Sequence, residues 1–539
     1  MSKRIIKAIV LAATLAFAAC GGAKDNGSAG NEIIETASLP GSYPIVDEKV
    51  TLKVFLPADP FINNLETNEL TTEYEAKTNV AIEWEDVPKV SLKERLNLML
   101  STNQNMPDIL LGAELSNAQL VNYGTNLGLL RDLTPYIEKY GPNIQKMLDY
   151  DPSIRQAVTA PDGKIYALPS VEEAYHVRAP QKLWVYKPWL DELGLDLPQT
   201  TDEFHMMLKA FKEEKGSAVP LTGSITGWYT NILHFFMSSF IYTDKENLWI
   251  VEDGEVTVPY DKGEWREGLK YMNTLYTDGL LDEGAFTQDL AQLRQLTMSG
   301  NVGTVTAGAA ATFAQGSKRE EYVTIPPLEG PSGTRLTAYK PMVIITGKFA
   351  VPTASAHPDV AIRWVDYFLS EEGSLRSRNG IEGRDWRHAE DGEISISGEQ
   401  AKYLKILKFN RNQNAHWMKI VPQFYPGELR NAEVDESIES GSKGVEKILY
   451  DETFNNYDPY LKKEVMKQVY LDLDDAAEYS ELDYIIGNYV DEMAAKFILG
   501  QIDVYSDNEW ENYLGILKRM NLDKYINLRA EAYKGQYLN

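Results

Sequence analysis

The chain of 539 residues has a single cysteine, so it cannot form an intramolecular disulfide. Its six histidines are scattered without metal-ligand spacing, and it has no glycine-rich phosphate loop. Basic residues are scarce as well, because 53 Lys and Arg stand against 79 Asp and Glu and give a formal net charge of −26. We therefore expect no metal, no cofactor and no nucleic-acid partner. Chain length rather than cross-links must stabilise the fold.

A long apolar run is also missing after the first twenty residues, which predicts no membrane-spanning helix in the rest of the chain. The amino terminus itself has the pattern of an export signal. Lys3, Arg4 and Lys7 form a basic start, and an apolar stretch over 5–17 leads to two alanines before Cys20. Because this stretch is too short for a permanent membrane helix, we predict a signal peptide over residues 1–19.

Cys20 follows Ala18 and Ala19 directly, and two small residues before a cysteine resemble the bacterial lipobox. In that motif the thiol receives diacylglycerol and becomes the mature amino terminus. Phe17 departs from the commoner leucine, and an ordinary cleaved signal with an unrelated cysteine is the alternative. The residues that follow are rich in glycine, serine, asparagine and charge, which is typical of a flexible tether. We predict a lipid-anchored tether over residues 20–49 and an extracytoplasmic protein held at the cell membrane.

The remaining chain has the composition of a folded protein, with 43% apolar and 11% aromatic residues. Its length requires two or more globular units. Alternating, β-rich segments at 50–56, 80–85 and 106–112 predict strands, and helical patterns fall between them. Strand, helix, strand, helix, strand is typical of an α/β domain with a mainly parallel sheet. Beyond residue 380 the patterns are mostly helical.

A series of short motifs resembles the family 1 extracellular solute-binding proteins that feed carbohydrate ABC importers, and in particular their large lipoprotein branch. Each motif alone is weak, but their shared order spans nearly the whole mature chain. The motifs are EYEAKTNV (73–80), MPDI (106–109), LGLLRDLTPY (127–136), DGKIYALP (162–169), WLDELGL (189–195), TTDEF (200–204), LSEEG (369–373), GIEG (380–383) and a tail that begins with WENY (510–513).

The resemblance implies a two-lobe periplasmic-binding-protein-like fold, in which each lobe is a mainly parallel sheet flanked by helices. By that pattern the first lobe takes 50–161 and 325–372, and the second takes 162–324 and 373–539 with an extra helical C-terminal portion. The family holds its ligand in the cleft between the lobes, closes by hinge motion and is not an enzyme. The expected partners are a carbohydrate and the permease subunits of an ABC transporter, and we expect a monomer.

Ligand contacts are expected in the loops beyond the carboxyl ends of strands, where open α/β sheets bind ligands. A sugar presents apolar C–H faces, which aromatic rings cover, and hydroxyl groups, which acidic, amide and arginine side chains bind. The family pattern supports the loop at 380–386 as well, since it falls near the hinge or cleft. The residues that we predict to bind ligand are Glu114, Trp228, Tyr229, Asn231, Glu382, Arg384, Trp386 and Trp417.

These residues also have structural alternatives. Trp228 would cap the core beneath the following helix, while Glu382 and Trp386 would fold a tight connection between lobes. Asp108, at the entry to the third predicted strand, is expected to fix the backbone rather than to touch ligand. The wall at 307–311 lacks the aromatic residue that relatives often carry, which would widen the cleft for a longer or branched ligand.

Two other functions stay open. A surface glycan-processing enzyme is one, since acid pairs are plentiful, although nothing in the sequence singles out a pair. The same fold binding a non-sugar solute such as a peptide is the other. Arg384, Arg387 and His388 next to Trp386 would also suit an acidic sugar such as a uronate.

Overall fold

The computed structural model describes residues 35–217, 219–245, 248–407, 412–417, 420–437 and 443–538. The predicted signal peptide, Cys20 and the first part of the predicted tether lie outside these residues. Glu35–Asn539 form one compact unit. Over the described ranges, no helix combines the length and the apolar character needed to cross a membrane.

Most strands belong to two sheets. The strands of the described residues are β1 Val50–Pro57, β2 Val80–Val87, β3 Ile109–Leu111, β4 Ala167–Glu172, β5 Leu183–Tyr186, β6 Val219–Thr222, β7 Ile250–Glu252, β8 Glu255–Thr257, β9 Val302–Thr306, β10 Tyr322–Ile325, β11 Val343–Ala350, β12 Trp386–His388, β13 Tyr403–Lys405 and β14 Phe424–Tyr425. The first sheet has the order β14-β4-β11-β3-β1-β2, and the second has the order β10-β5-β9-β6. The pairs β7-β8 and β12-β13 form small two-stranded sheets.

Helices flank both sheets. The α-helices are Glu69–Thr78, Lys89–Thr102, Asn117–Leu120, Thr134–Tyr140, Pro142–Leu148, Pro152–Val158, Lys187–Leu193, Thr201–Glu214, Leu233–Met237, Gly263–Thr277, Leu290–Met298, Pro358–Asp366, Glu371–Asn379, Gly427–Arg430, Val445–Asn456, Leu473–Ile498, Asp507–Arg519 and Leu522–Tyr537. Shorter turns of 3₁₀ or π-helix lie at Val121–Asn126, Tyr175–Arg178, Glu283–Phe286, Ala310–Thr312, Gly316–Glu321, Tyr367–Leu369 and Asp458–Tyr460.

The first three strands are parallel neighbours, as the sequence predicts. β1 lies between β2 and β3, with Val54 opposite Ile109. Leu52, Val54 and Leu56 alternate along β1 and are buried on one face, because successive side chains of a strand point to opposite sides. The predicted order of strands and helices over residues 50–112 therefore forms the centre and one edge of the first sheet.

Asp108 fixes the entry to β3. One oxygen of its carboxylate accepts a hydrogen bond from the backbone N–H of Lys53 at 2.9 Å, and the other accepts from the hydroxyl of Ser355 at 2.7 Å. The side chain thus ties β1 to the segment that follows β11. The prediction that Asp108 holds the backbone is confirmed.

The first sheet is mainly parallel, as predicted, whereas the second sheet is not. β11 runs antiparallel to both of its neighbours in the first sheet, while the other pairs there are parallel. In the second sheet only β6 and β9 are parallel, and β5 is antiparallel to both β9 and β10.

Each sheet has its own apolar core, and we call the body on the first sheet the first lobe and the body on the second sheet the second lobe. Trp417 and Phe424 are buried in the core of the first lobe, where β14 also pairs with β4. The predicted division assigned both of these strands and the stretch around Trp417 to the second lobe. The structure instead places these segments in the first lobe, because the chain returns to the first sheet before its final helices.

Residues 35–49 also differ from the prediction, which placed them in the flexible tether. Ile45 and Val46 are buried in the core of the first lobe. Asp359 accepts hydrogen bonds from the backbone N–H groups of Thr36 and Ala37. Burying two aliphatic side chains stabilises this arrangement by about 3 kcal/mol or more, so the segment docks instead of remaining free.

The chain ends in a helical region on the second lobe, which confirms the predicted helical C-terminal portion. The helix Leu473–Ile498 packs along the helix Gly263–Thr277. The amide of Asn273 donates to the carbonyl groups of Phe497 and Ile498, so it satisfies two groups at the carboxyl end of the longer helix.

Candidate functional site

A cavity of about 770 Å³ lies between the two lobes. On the first lobe it is lined by Pro57 at the end of β1, and by Gly112 and Glu114 after β3. On the second lobe it is lined by Trp228 and Tyr229, in the loop that follows β6. The lining thus comes from the carboxyl ends of parallel strands in both sheets, the position where open α/β folds bind ligands.

Trp228 forms an aromatic surface on the second lobe. A Cβ atom at Gly308 would lie 2.4 Å from Cε3 of this indole, so the ring lies directly on the glycine backbone. The N–H of Gly308 also donates to the carbonyl of Trp228 at 2.9 Å. The rings of Tyr229 and His176 meet the indole edge-on at centroid distances of 6.0 and 6.1 Å. Residue 308 must therefore be glycine for the Trp228 ring to occupy this position.

Two lining residues hold a left-handed backbone that non-glycine residues rarely adopt. Glu114 has φ of 52° and Tyr229 has φ of 53°. Each such position costs on the order of 1 kcal/mol, and such strain is concentrated at binding and active sites. The two residues lie on opposite lobes, so both walls of the cavity carry this feature.

Glu114 and Lys348 form an ion pair on the first lobe. Nζ of Lys348 donates to the Glu114 carboxylate at 2.9 Å, and both residues line the cavity. The lysine is buried, whereas the Glu114 side chain is 54% exposed. Glu114 therefore presents carboxylate oxygens to the cavity while it neutralises the cation beneath it.

A row of charged side chains, with buried arginines and partly exposed carboxylates, lines the same cavity and joins the lobes. Glu172 accepts hydrogen bonds from Nη2 of Arg378 and from Nε of Arg430, each at 3.0 Å. Arg430 donates through Nη2 to Glu446 at 2.6 Å, and Nδ1 of His176 lies 3.6 Å from the same carboxylate. Glu172, Arg378 and Arg430 belong to the first lobe, while His176 and Glu446 pack on the second.

Burial and neighbouring charges set the protonation of this row. Burial lowers the pKa of His176 to about 3, so the imidazole is neutral at physiological pH. Burial is the largest single effect on Glu446 and alone would raise its pKa, but the charge and hydrogen bond of Arg430, together with further nearby cationic groups, outweigh it and hold that pKa at about 2. The row therefore contains two arginine cations and carboxylate partners rather than a protonated histidine.

Three of the residues predicted from the sequence, Glu114, Trp228 and Tyr229, meet at this cavity. Asn231 does not line it; its side-chain oxygen accepts a hydrogen bond from the backbone N–H of Leu233, the first residue of a short helix.

The remaining predicted residues lie on the first lobe, outside the cavity lining. Trp386 is 3% exposed and donates its indole N–H to the carbonyl of Gly380, which matches its structural alternative as part of a tight connection. Trp417 is 1% exposed and belongs to the core. Glu382 and Arg384 are exposed, and Arg384 binds the carboxylates of two neighbouring acidic residues.

The arginines proposed for an acidic sugar are also engaged elsewhere. Arg387 makes two hydrogen bonds to Glu393, at 2.6 and 2.7 Å, and lines a separate acidic cavity. His388 lies 3.6 Å from Glu382. Arg384, Arg387 and His388 therefore do not line the cavity with Trp228 and Glu114.

Sequence patterns did not reveal the row of charged side chains. Arg378 and Arg430 have the appearance of solvated side chains, and His176 has no second His or Cys at metal-ligand spacing. Within the ranges that the structure describes, no group of three or more His, Cys, Asp or Glu side chains is placed to hold a metal ion.

The chain is similar to known proteins over most of its length. A profile of the family described as bacterial extracellular solute-binding protein matches residues 63–374. The fructooligosaccharide ABC transporter substrate-binding protein FusA of Streptococcus pneumoniae serotype 4 is 25% identical over 546 residues, covering 98% of this chain and 97% of FusA. Lipoprotein LipO of Bacillus subtilis is 23% identical over 350 residues, covering 60% of this chain and 64% of LipO.

Solved structures share the fold. FusA in complex with kestose superposes with a TM-score of 0.72 at 22% identity, covering 91% of this chain and 100% of that one. A solute-binding protein of Bifidobacterium longum infantis, described as HMO-binding and ABC-transporter associated, gives a TM-score of 0.74 at 19% identity, covering 90% of this chain and 99% of that one. The profile match extends over more than half of the sequence and includes strands of both sheets. The chain belongs to the bacterial extracellular solute-binding protein family.

Proposed function

We propose that this protein is the extracytoplasmic receptor of a carbohydrate ABC importer. It binds an oligosaccharide in the cavity between the lobes, closes by hinge motion and delivers the ligand unchanged to the permease. The observation that carries the proposal is the placement of Trp228 on Gly308, on the opposite lobe from Glu114 and Lys348. An aromatic surface facing paired donors and acceptors suits a sugar, which has both apolar faces and hydroxyl groups.

The size of the cavity agrees with such a ligand. Sites for drug-sized molecules commonly enclose about 300–1,000 Å³, and this cavity encloses about 770 Å³. Residues 307–311, which the sequence suggested as a wall, do not line this cavity, and Trp228 from the loop after β6, which lies on Gly308, supplies the aromatic surface instead. The names of FusA and of the Bifidobacterium protein also point to oligosaccharides.

The division of contacts between the lobes explains how binding favours closure. Trp228 and Tyr229 approach the ligand from the second lobe, and Glu114 and Lys348 approach it from the first. A ligand that contacts both walls binds the closed state more tightly than an open one, and this difference in affinity shifts the equilibrium toward closure.

A thermal-unfolding screen with neutral oligosaccharides of two to five units tests the function. A true ligand at one hundred times its Kd stabilises the folded protein by about 2.7 kcal/mol and raises its Tm. The ligand recovered after prolonged incubation should have its original mass. Sustained release of shorter products would instead support the glycan-processing enzyme, and stabilisation by peptides alone would support a peptide receptor.

The anchor is tested separately at Cys20. A lipobox cysteine carries diacylglycerol, so cells fed an alkyne-tagged fatty acid should label the wild-type protein. Cys20→Ser should lose the label completely, because serine has no thiol to form the thioether. Phe17→Leu, which restores the commoner lipobox residue, is the matched control and should keep the label. A Cys20→Ser variant that stays labelled would exclude this anchor.

A further inference from the structure

Each buried cation among the described lining residues is matched by a carboxylate of the protein itself. Arg378 and Arg430 are 3% and 4% exposed, and Lys348 is buried with them. Arg378 and Arg430 share Glu172, and Arg430 also binds Glu446. Lys348 binds Glu114, as described above.

Among the residues that the structure describes, the cavity lining is close to charge balance. Its cationic side chains are Lys89, Lys340, Lys348, Arg378 and Arg430, and its anionic side chains are Asp59, Glu114, Glu172 and Glu446. Lys89 is exposed and Lys340 is half-exposed, so water and salt screen both. The deep part of the cavity therefore offers hydrogen-bond donors and acceptors without an uncompensated positive charge.

We propose that this balance makes the site selective for a neutral oligosaccharide over a uronic acid oligosaccharide of the same length. The inference rests on the proposed function and specifies its substrate class. A carboxylate that enters the closed cavity loses its hydration and needs a cation in return. The arginines already bind Glu172 and Glu446, so an acidic sugar meets like charge from these carboxylates. Hydroxyl groups, in contrast, donate to the same carboxylates and accept from the same arginines.

The neutral oligosaccharide with the largest thermal shift provides a matched pair of probes. Its primary hydroxyl groups are oxidised to carboxylates, and calorimetry gives the Kd of both forms at one salt concentration. The wild-type protein should bind the neutral form at least about tenfold more tightly. Equal or tighter binding of the oxidised form would overturn the inference while leaving a carbohydrate receptor in place.

Glu172→Gln tests whether the carboxylates of the row cause the selectivity for a neutral sugar. The variant keeps a hydrogen-bond acceptor beside Arg378 and Arg430 but removes one negative charge, so the neutral-to-acidic affinity ratio should fall at least about tenfold. Glu446→Gln removes the other carboxylate of the row and should lower the ratio in the same direction if Glu172→Gln does not fold. Unchanged ratios in the folded variants would refute the role of the row.

Glu73→Gln is the matched control. Glu73 accepts hydrogen bonds from the buried Arg376 at 2.6 and 3.1 Å in another ion pair of the first lobe, and neither residue lines the cavity. This variant should keep the wild-type ratio, and a ratio that falls as far as in Glu172→Gln would contradict a local effect. If no neutral or acidic sugar binds the wild-type protein, the proposed function itself fails.

Discussion

Trp228→Ala should weaken oligosaccharide binding at least about 30-fold, a loss of about 2 kcal/mol, while the protein remains folded. The indole is half-buried, with Gly308 behind it and the cavity beside it. Its removal takes the aromatic surface away from the sugar. Because the side chain is only partly buried in the free protein, the free energy of unfolding should fall by no more than about 2 kcal/mol. Calorimetry gives the change in Kd, and urea unfolding gives the change in stability.

Trp189→Ala is the matched control for this change. Trp189 is also a half-buried tryptophan of the second lobe, and it packs edge-on against Tyr186 and Phe211 outside the cavity lining. Its loss should lower stability by a similar amount and leave the Kd within about threefold of wild type. Equal loss of binding in the two variants would show that Trp228 acts through the fold and not through ligand contact.

Trp417→Ala should have the opposite effect, with a large loss of stability. The indole is fully buried, and its ring contacts Trp84, Trp364 and Phe368 at centroid distances of 5.2 to 5.6 Å. Its N–H donates to the hydroxyl of Thr71 at 2.9 Å. Truncating a core tryptophan typically costs about 3–5 kcal/mol, because the cavity collapses only in part. Urea unfolding should therefore show a clear decrease in the transition midpoint.

Ligand binding separates the core role of Trp417 from the ligand contact that the sequence predicted. At a temperature where the Trp417→Ala variant is folded, its Kd should stay within about threefold of wild type. A Trp417→Ala variant that is stable but no longer binds ligand would contradict the core role and would indicate that Trp417 contacts ligand. Kd and unfolding measurements on Trp228→Ala and Trp417→Ala thus distinguish a tryptophan that contacts ligand from one that stabilises the core.

The sequence predicted the parts of the structure that depend on local patterns. The alternation of Leu52, Val54 and Leu56 was enough to place β1, because period-two burial is a property of a few consecutive residues. The rule that ligands bind beyond strand ends pointed to Glu114, and a loop rich in small residues before two aromatic side chains pointed to Trp228; both residues line the cavity.

The errors arise where burial depends on distant contacts. Trp417 stands in a polar stretch, but its indole N–H binds a threonine 346 positions earlier in the chain, and no local pattern records that partner. Arg378 and Arg430 have polar neighbours in sequence, yet each is bound by Glu172 from β4. Trp386, which ends a glycine-containing loop, was predicted to lie near the hinge or cleft, whereas it is buried in a small cluster with Tyr403 and Tyr425.

The left-handed backbone of Glu114 and Tyr229 has a consequence for the entropy of binding. These conformations are held by the folded walls before any ligand arrives. Their unfavourable energy is part of the cost of folding, so an incoming sugar need not order either loop. Pre-organised walls lose less conformational freedom on association, which leaves more of the contact energy to appear as affinity.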